Sequence, residues 1–263
     1  MIPTTAVATF GYHDVTDQPG LAGFQRPGAL PFKLRVATFA RHLDAIAGTS
    51  QNPSLVTELD LAAPGRHLLL TFDDGGKSAV WVGDELCRRG WRGHFFIITN
   101  RIGDRTFLDT AEIRHLRSCG HVIGSHSHTH PSIFREQTRT QMIAQWRTSC
   151  ERLADLLGEP CSMASVPGGD LSPKVVESAC AAGLRYLFTS EPTLVPQQVD
   201  DCWVLGRFSP KADTAVDRVS ELAQFRAWHW VFLTRRLKVL VRSMLPGTYR
   251  AYVRRRTRES PAA

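Results

Sequence analysis

The chain has no long uncharged apolar run, no Cys-x-x-Cys pair and no intact phosphate-loop signature. The first absence excludes a membrane-spanning helix, which needs roughly 20 apolar residues in succession. The six cysteines, at 87, 119, 150, 161, 180 and 202, form no regular framework, and a chain of 263 residues buries a core without disulfide staples. They are expected to be reduced and mostly buried. The amino terminus, Met1 to Val7, lacks a basic region and an apolar core, so it does not read as a signal peptide, and a cytoplasmic location is expected. Gly76-Lys77-Ser78 imitates the end of a phosphate loop, but that loop requires a glycine where Thr71 stands. A glycine turn with Ser78 capping the next helix is the reading that survives.

Acidic residues are nearly missing from the end of the chain. Residues 226–263 hold ten of the 32 Lys and Arg but only Glu259 of the 25 acids, leaving residues 1–225 with 22 basic and 24 acidic side chains, a net of −2. The chain therefore divides into a main unit, 1–225, and a basic extension, 226–263. On a helical wheel Trp230, Leu233, Leu237, Leu240, Val241 and Met244 gather on one side, with Arg235, Arg236, Lys238 and Arg242 on the other. Such a helix either closes one end of the main unit with its apolar face or lies on an anionic membrane, helped by Arg254-Arg255-Arg256. A nucleic-acid role would want aromatics among the basic residues, and there are few.

The main unit alternates strand and helix signals. Val7–His13, His67–Phe72, His94–Ile98, His121–Gly124, Ser162–Val166, Arg185–Thr189 and Trp203–Phe208 read as strands. Between them, helices are expected over 35–47, from Ser78 to Gly90, from an Asp109/Glu112 capping box to Gly120, over 137–157, and from Ser172-Pro173 to Gly183. Residues 14–34, rich in Gly and Pro, form a long loop. The alternation predicts an α/β protein with a parallel sheet closed or nearly closed into a barrel, its site at the carboxyl ends of the strands.

Asp73 and Asp74 follow the run His67-Leu68-Leu69-Leu70. Two adjacent carboxylates at a strand end repel each other and need a cation or a proton. His126 and His130 lie some fifty residues on; if their segment makes a helical turn, both rings converge on one ion, and Asp74 completes a three-ligand shell with a position open for water. His128 faces elsewhere and has a structural or supporting duty. Taken singly, the Asp-Asp-Gly is equally a solvated turn, and the histidines a surface loop.

Thr71-Phe72-Asp73-Asp74-Gly75 followed by His126-Ser127-His128-Thr129-His130 resembles the first two motifs of the polysaccharide deacetylase family, over roughly residues 7 to 210. The resemblance implies a distorted, incomplete (β/α)7 barrel, to whose carboxyl end the basic amphipathic helix read from the wheel is appended. It implies Asp73 as general base, and Asp74, His126 and His130 as ligands of a divalent metal, usually zinc. The family's third motif, Arg-x-Pro-x-Gly, is matched at Pro167 and Gly169 but has Ser165 in the arginine's place; the backbone N–H of Gly168 would still face the oxyanion. Arg207, at a strand end, is the candidate to supply the missing cation. Tyr12-His13 resembles the exopolysaccharide branch of the family, which makes His13 the candidate general acid, although a lone strand-end histidine is as readily a core residue.

The function expected is metal-dependent removal of an N-acetyl group from an acetylated sugar in a glycan or glycolipid, with release of acetate. The partners expected are that carbohydrate and, through the extension, an anionic membrane, with no nucleic acid. A non-catalytic, membrane-peripheral glycan-binding relative and an amidohydrolase for a non-sugar amide are the alternatives. Oligomeric state and the identity of the sugar do not follow from the residues.

Overall fold

The computed structural model describes residues 4–169, 171–244 and 246–257; the side chains of residues 237–243, 246, 249, 250, 252, 254 and 256 fall outside what it describes. The chain runs β1 (Thr5–Tyr12), α1 (Val36–Ala47), β2 (Gly65–Phe72), α2 (Ala79–Arg88), β3 (His94–Ile97), α3 (Thr110–Ser118), β4 (Val122–Ser125), α4 (Arg139–Leu157) and β5 (Met163–Ser165). It continues through α5 (Pro173–Ala181), β6 (Tyr186–Phe188), β7 (Gln197–Val199), β8 (Cys202–Leu205), α6 (Val216–Ala223), α7 (Trp228–Met244) and α8 (Pro246–Thr257). The sheet order is β1-β2-β3-β4-β5-β6-β8-β7.

Seven of these strands are parallel, and β7 adds antiparallel to β8. Just past β8 the chain curls back to β1. The Phe208 N–H donates to the Thr9 carbonyl at 2.9 Å, and Gly11 N–H donates to the Phe208 carbonyl at 2.8 Å. The sheet is thus an incomplete (β/α)7 barrel, joined along a short seam. Neither the exposed strand β7 nor helix α6 is among the elements expected from the sequence; both are short, and β7 (Gln-Gln-Val) lacks the apolar periodicity that marks a strand.

Period-two alternation decides which side chains face inward. On β2, Leu68, Leu70 and Phe72 pack outward against the helices with Ala8, Phe10 and Tyr12 of β1. Leu69 faces the barrel interior beside Val7, Phe96, Met163, Phe188 and Leu205. Thr71 and Asp73 share the parity of Leu69, so the same pattern that builds the core delivers Asp73 inward at the strand's end. Phe39, Leu43 and Ile46 of α1 are fully buried, as their spacing predicts.

Capping follows the sequence reading at two helices, departs from it at one and adds an unforeseen box at Thr138. Asp109 with Glu112 and Thr138 with Gln141 form capping boxes, and the Ser172 side chain accepts from Val175 N–H. Ser78 does not cap α2: its hydroxyl donates to Asp14 Oδ1 at 2.9 Å and accepts from Val15 N–H at 3.1 Å, because a buried carboxylate is the stronger partner. The cysteines are all free, but only Cys202 is buried and Cys87 is exposed, so the expectation that most are buried is corrected.

His94 is fully buried. Its Nδ1 lies 3.0 Å from the Leu70 carbonyl and its Nε2 accepts from Val56 N–H at 3.0 Å, so the ring is neutral with both nitrogens occupied. Burial lowers its pKa to about 4. The unfolded chain takes up this proton first, so stability is full above about pH 6.5 and falls as pH drops toward 4, by roughly 3 kcal/mol. Urea titrations of wild type and His94→Gln across that window should show a shallower acid slope in the variant.

Candidate active site

Two groups of metal-ligating side chains lie within mutual reach among the described residues. Asp84, His115 and Cys119 lie on α2 and at the end of α3, where Asp84 and His115 form an exposed ion pair at 2.8 Å. The other is Asp74, His126 and His130, at the carboxyl ends of β2 and β4. Asp74 Oδ1 lies 3.3 Å from His126 Nε2 and 3.6 Å from His130 Nε2, all three side chains being nearly inaccessible to solvent. That oxygen is buried and accepts no well-formed hydrogen bond from the described residues.

Both spacings are close to the separation of about 3.3 Å between ligand atoms around a tetrahedral zinc-sized ion with bonds of about 2.0–2.1 Å. The donors fit the ion in chemistry as well. Burial pushes the Asp74 carboxyl up, but contact with His126, with His13 and His130 nearby, outweighs it and holds the group well below the usual carboxylate range. His126 Nδ1 lies 2.9 Å from the Ser165 carbonyl; a carbonyl only accepts, so Nδ1 carries the proton and Nε2 offers its lone pair toward Asp74. Burial, with His126 and Arg26 adding to it, lowers His130 to about 3, which keeps this ring neutral. Two imidazoles and one carboxylate suit zinc or a neighbouring divalent transition metal.

The histidine segment is no helical turn. After β4 the chain bends, and Ser127 and His130 adopt positive φ, as does Asp74 (64°, 52° and 74°). Ser125 Oγ accepts from Ser127 N–H and Ser127 Oγ accepts from His130 N–H, each at 3.0 Å. These two serine contacts pin a backbone that side chains disfavour, and strain of this kind collects at functional sites. His128 sits beside Thr99, Nδ1 to Oγ1 2.9 Å, away from the three ligands.

Beside the triangle, Asp73 is gripped by Arg207. Nη1 donates to Oδ1 and Nη2 to Oδ2, both at 2.8 Å. The remaining guanidinium donors go to Thr189 O (3.0 Å), Thr71 Oγ1 (3.0 Å) and Ser165 Oγ (2.7 Å), so all five are used. Ser165 Oγ in turn donates to Asp73 Oδ2 at 3.1 Å. Burial raises the Asp73 carboxyl, but Arg207 outweighs it and holds it at about 2.

A cavity of about 490 Å3 opens onto this pair, lined among others by His13, Phe32, Asp73, Gly168, Arg207 and Arg235. His13 follows β1, with its ring 4.9 Å from that of Phe32 and Nδ1 buried without a hydrogen-bond partner among the described residues. Gly168 lies in a 3-10 turn, Pro167–Gly169, at φ 66°; a Cβ on the neighbouring Gly169 would meet the Ser190 side chain and backbone, which explains the paired glycines. The structure therefore gathers Asp73, Arg207, His13 and Gly168 in one cavity, with Asp74, His126 and His130 beside it. The roles of Ser165 and Thr71 were not read from the sequence, although Ser165 in an arginine's place and a hydroxyl two residues before Asp73 were signals in plain view.

Residues 60–187 match the family model described as polysaccharide deacetylase. Over that stretch, just under half of its length, the chain is similar to the polysaccharide deacetylases. Peptidoglycan-N-acetylglucosamine deacetylase PgdA of Listeria monocytogenes is 33% identical over 86 residues, 32% of this chain and 18% of that protein; the chain thus spans under a fifth of the length of that curated relative. A polysaccharide deacetylase from Bacillus cereus superposes with a TM-score of 0.70 at 18% identity, covering 83% of this chain and 69% of the other. IcaB from Ammonifex degensii does so with 0.68 at 19% identity, covering 85% and 99%. At these identities the two solved structures speak for the deacetylase fold.

Replacing Arg207 by Met leaves Asp73 buried without its partner, which costs about 3–5 kcal/mol, read as a lowered urea midpoint; a loss under about 1 kcal/mol, the worth of an exposed pair, would contradict this geometry. Asp74→Asn and His126→Ala should each weaken zinc binding by more than about tenfold, since even partners behind a ligand carry that much, whereas Asp84→Asn should not change the affinity of this site in a competition titration.

Proposed function

We propose that the chain is a metal-dependent hydrolase that removes the acetyl group from an acetylated amino sugar in a glycan or glycolipid, releasing acetate. The observation that carries this reading is the Asp74, His126, His130 triangle beside a second, ionised aspartate at a cavity of about 490 Å3. A volume of that order suits a small-molecule fragment. The family match, and the peptidoglycan substrate named for the Listeria relative, favour an acetylated amino sugar over other amides.

Asp74, His126 and His130 would hold the ion, with Zn2+ as our choice. Bound there, it supplies Lewis acidity and a water of lowered pKa. Asp73 receives the proton of the attacking water. Arg207 fixes the plane of that carboxylate through two parallel bonds, and Ser165 braces the same oxygen from the side. The Gly168 N–H donates to the oxygen that gains charge as the acetyl carbon becomes tetrahedral. His13 protonates the leaving amine. Burial lowers its imidazole below the ordinary value while Asp73 and Asp74 oppose this, so growing negative charge on the acetyl oxygen lets it take up the proton it delivers. Arg207 thus substitutes, from the strand end after β8, for a cation that relatives carry at the position of Ser165.

An acetate-release assay on a panel of acetylated sugars, with and without chelator, tests the reading. Asp73→Asn should abolish turnover with metal still bound, and His13→Ala should slow it by roughly 100-fold or more. Retained turnover in Asp73→Asn removes the base assignment, and unchanged turnover in Arg207→Ala removes the substitution argument.

A further inference from the structure

Helix α7 meets the barrel along one face. Trp228 is buried, and its Nε1 donates to the Leu222 carbonyl at 2.9 Å. Val231 packs on the core, and Arg235 Nη2 pairs with Glu191 Oε1 at 2.7 Å. These positions, i, i+3 and i+7, share a stripe. Of the six apolar residues on the stripe that would either close one end of the main unit or lie on an anionic membrane, the three whose side chains are described, Trp230, Leu233 and Met244, stand in solvent, 60%, 53% and 70% exposed, with Phe232 at 42% on the flank.

An apolar stripe containing a tryptophan, left open on a segment with ten basic residues and one acid, has the chemistry of an interfacial helix. The indole and the aliphatic side chains enter the headgroup boundary, while arginines and lysines meet anionic lipid. A second copy of the chain would place like charge against like. Among the described residues no helix is long and apolar enough to cross a membrane, so the helix would lie on the surface. The other face of α7 reaches the catalytic cavity, whose wall includes Val231, Thr234 and Arg235.

We propose that α7 docks on an anionic lipid surface through Trp230, Leu233, Phe232 and Met244, and so holds the cavity beside acetylated sugars carried on lipid. The second half rests on the deacetylase reading. The test is flotation of the full chain with phosphatidylglycerol/phosphatidylcholine vesicles and with phosphatidylcholine alone. The expected result is binding to the anionic vesicles only, weakened at least tenfold in Trp230→Ser/Leu233→Ser, with circular dichroism and acetate release from a soluble acetylated sugar unchanged in the variant. No binding to anionic vesicles, equal binding to neutral ones, or unchanged binding of the variant overturns the proposal. So does a stable dimer that the two substitutions abolish in a chain that does not float. Vesicle binding by a chain that releases no acetate supports docking and counts against the deacetylase reading alone.

Discussion

A guanidinium with every N–H engaged is the contact on which the site depends. Arg207 is 1% exposed and binds Asp73, Thr71, Thr189 and Ser165. Those partners come from β2, from the end of β5 and from the residue after β6, so one cation ties distant parts of the sheet around one carboxylate. A buried ion pair is weak as a source of stability, but each half is costly to leave alone. What it fixes is orientation: the plane of the Asp73 carboxylate is set by two parallel bonds, and Thr71 Oγ1, which donates to the Phe10 carbonyl at 2.9 Å, ties the arrangement back to β1.

The neighbouring triangle is held by different means. Its residues sit on irregular backbone just beyond β2 and β4, with three non-glycine residues at positive φ. Ser165 joins the two halves, since its carbonyl orients His126 while its hydroxyl braces Asp73. A small residue there leaves room for the arginine to arrive from another strand, and the same position serves both parts of the site.

The barrel was legible because parallel strands buried on both sides leave continuous apolar runs, and the capping box at Asp109 is local. The strand β7 was not, since its residues are polar and it exists by pairing with β8. The histidine loop was misread in shape though not in position: spacing tells that His126 and His130 can approach one ion, but whether by a helix or by a bend depends on serine hydroxyls acting across two or three residues. Ser78 looked like a cap because caps are local, and a distant Asp14 outcompeted the helix end. On α7 the wheel found the apolar stripe, while which stripe meets the barrel was decided by Trp228 and by Glu191, far away in the chain.

The seam between the Phe208 segment and β1 has a consequence for biosynthesis. Asp73 waits 134 positions for Arg207, and closing so long a stretch is slow because its entropy must be surrendered before any contact is gained. While the chain is still emerging, two adjacent carboxylates sit at the rim of an unfinished sheet with no guanidinium to accompany them. Burying them at that stage would be costly, so this rim of the sheet would be among the last regions to set.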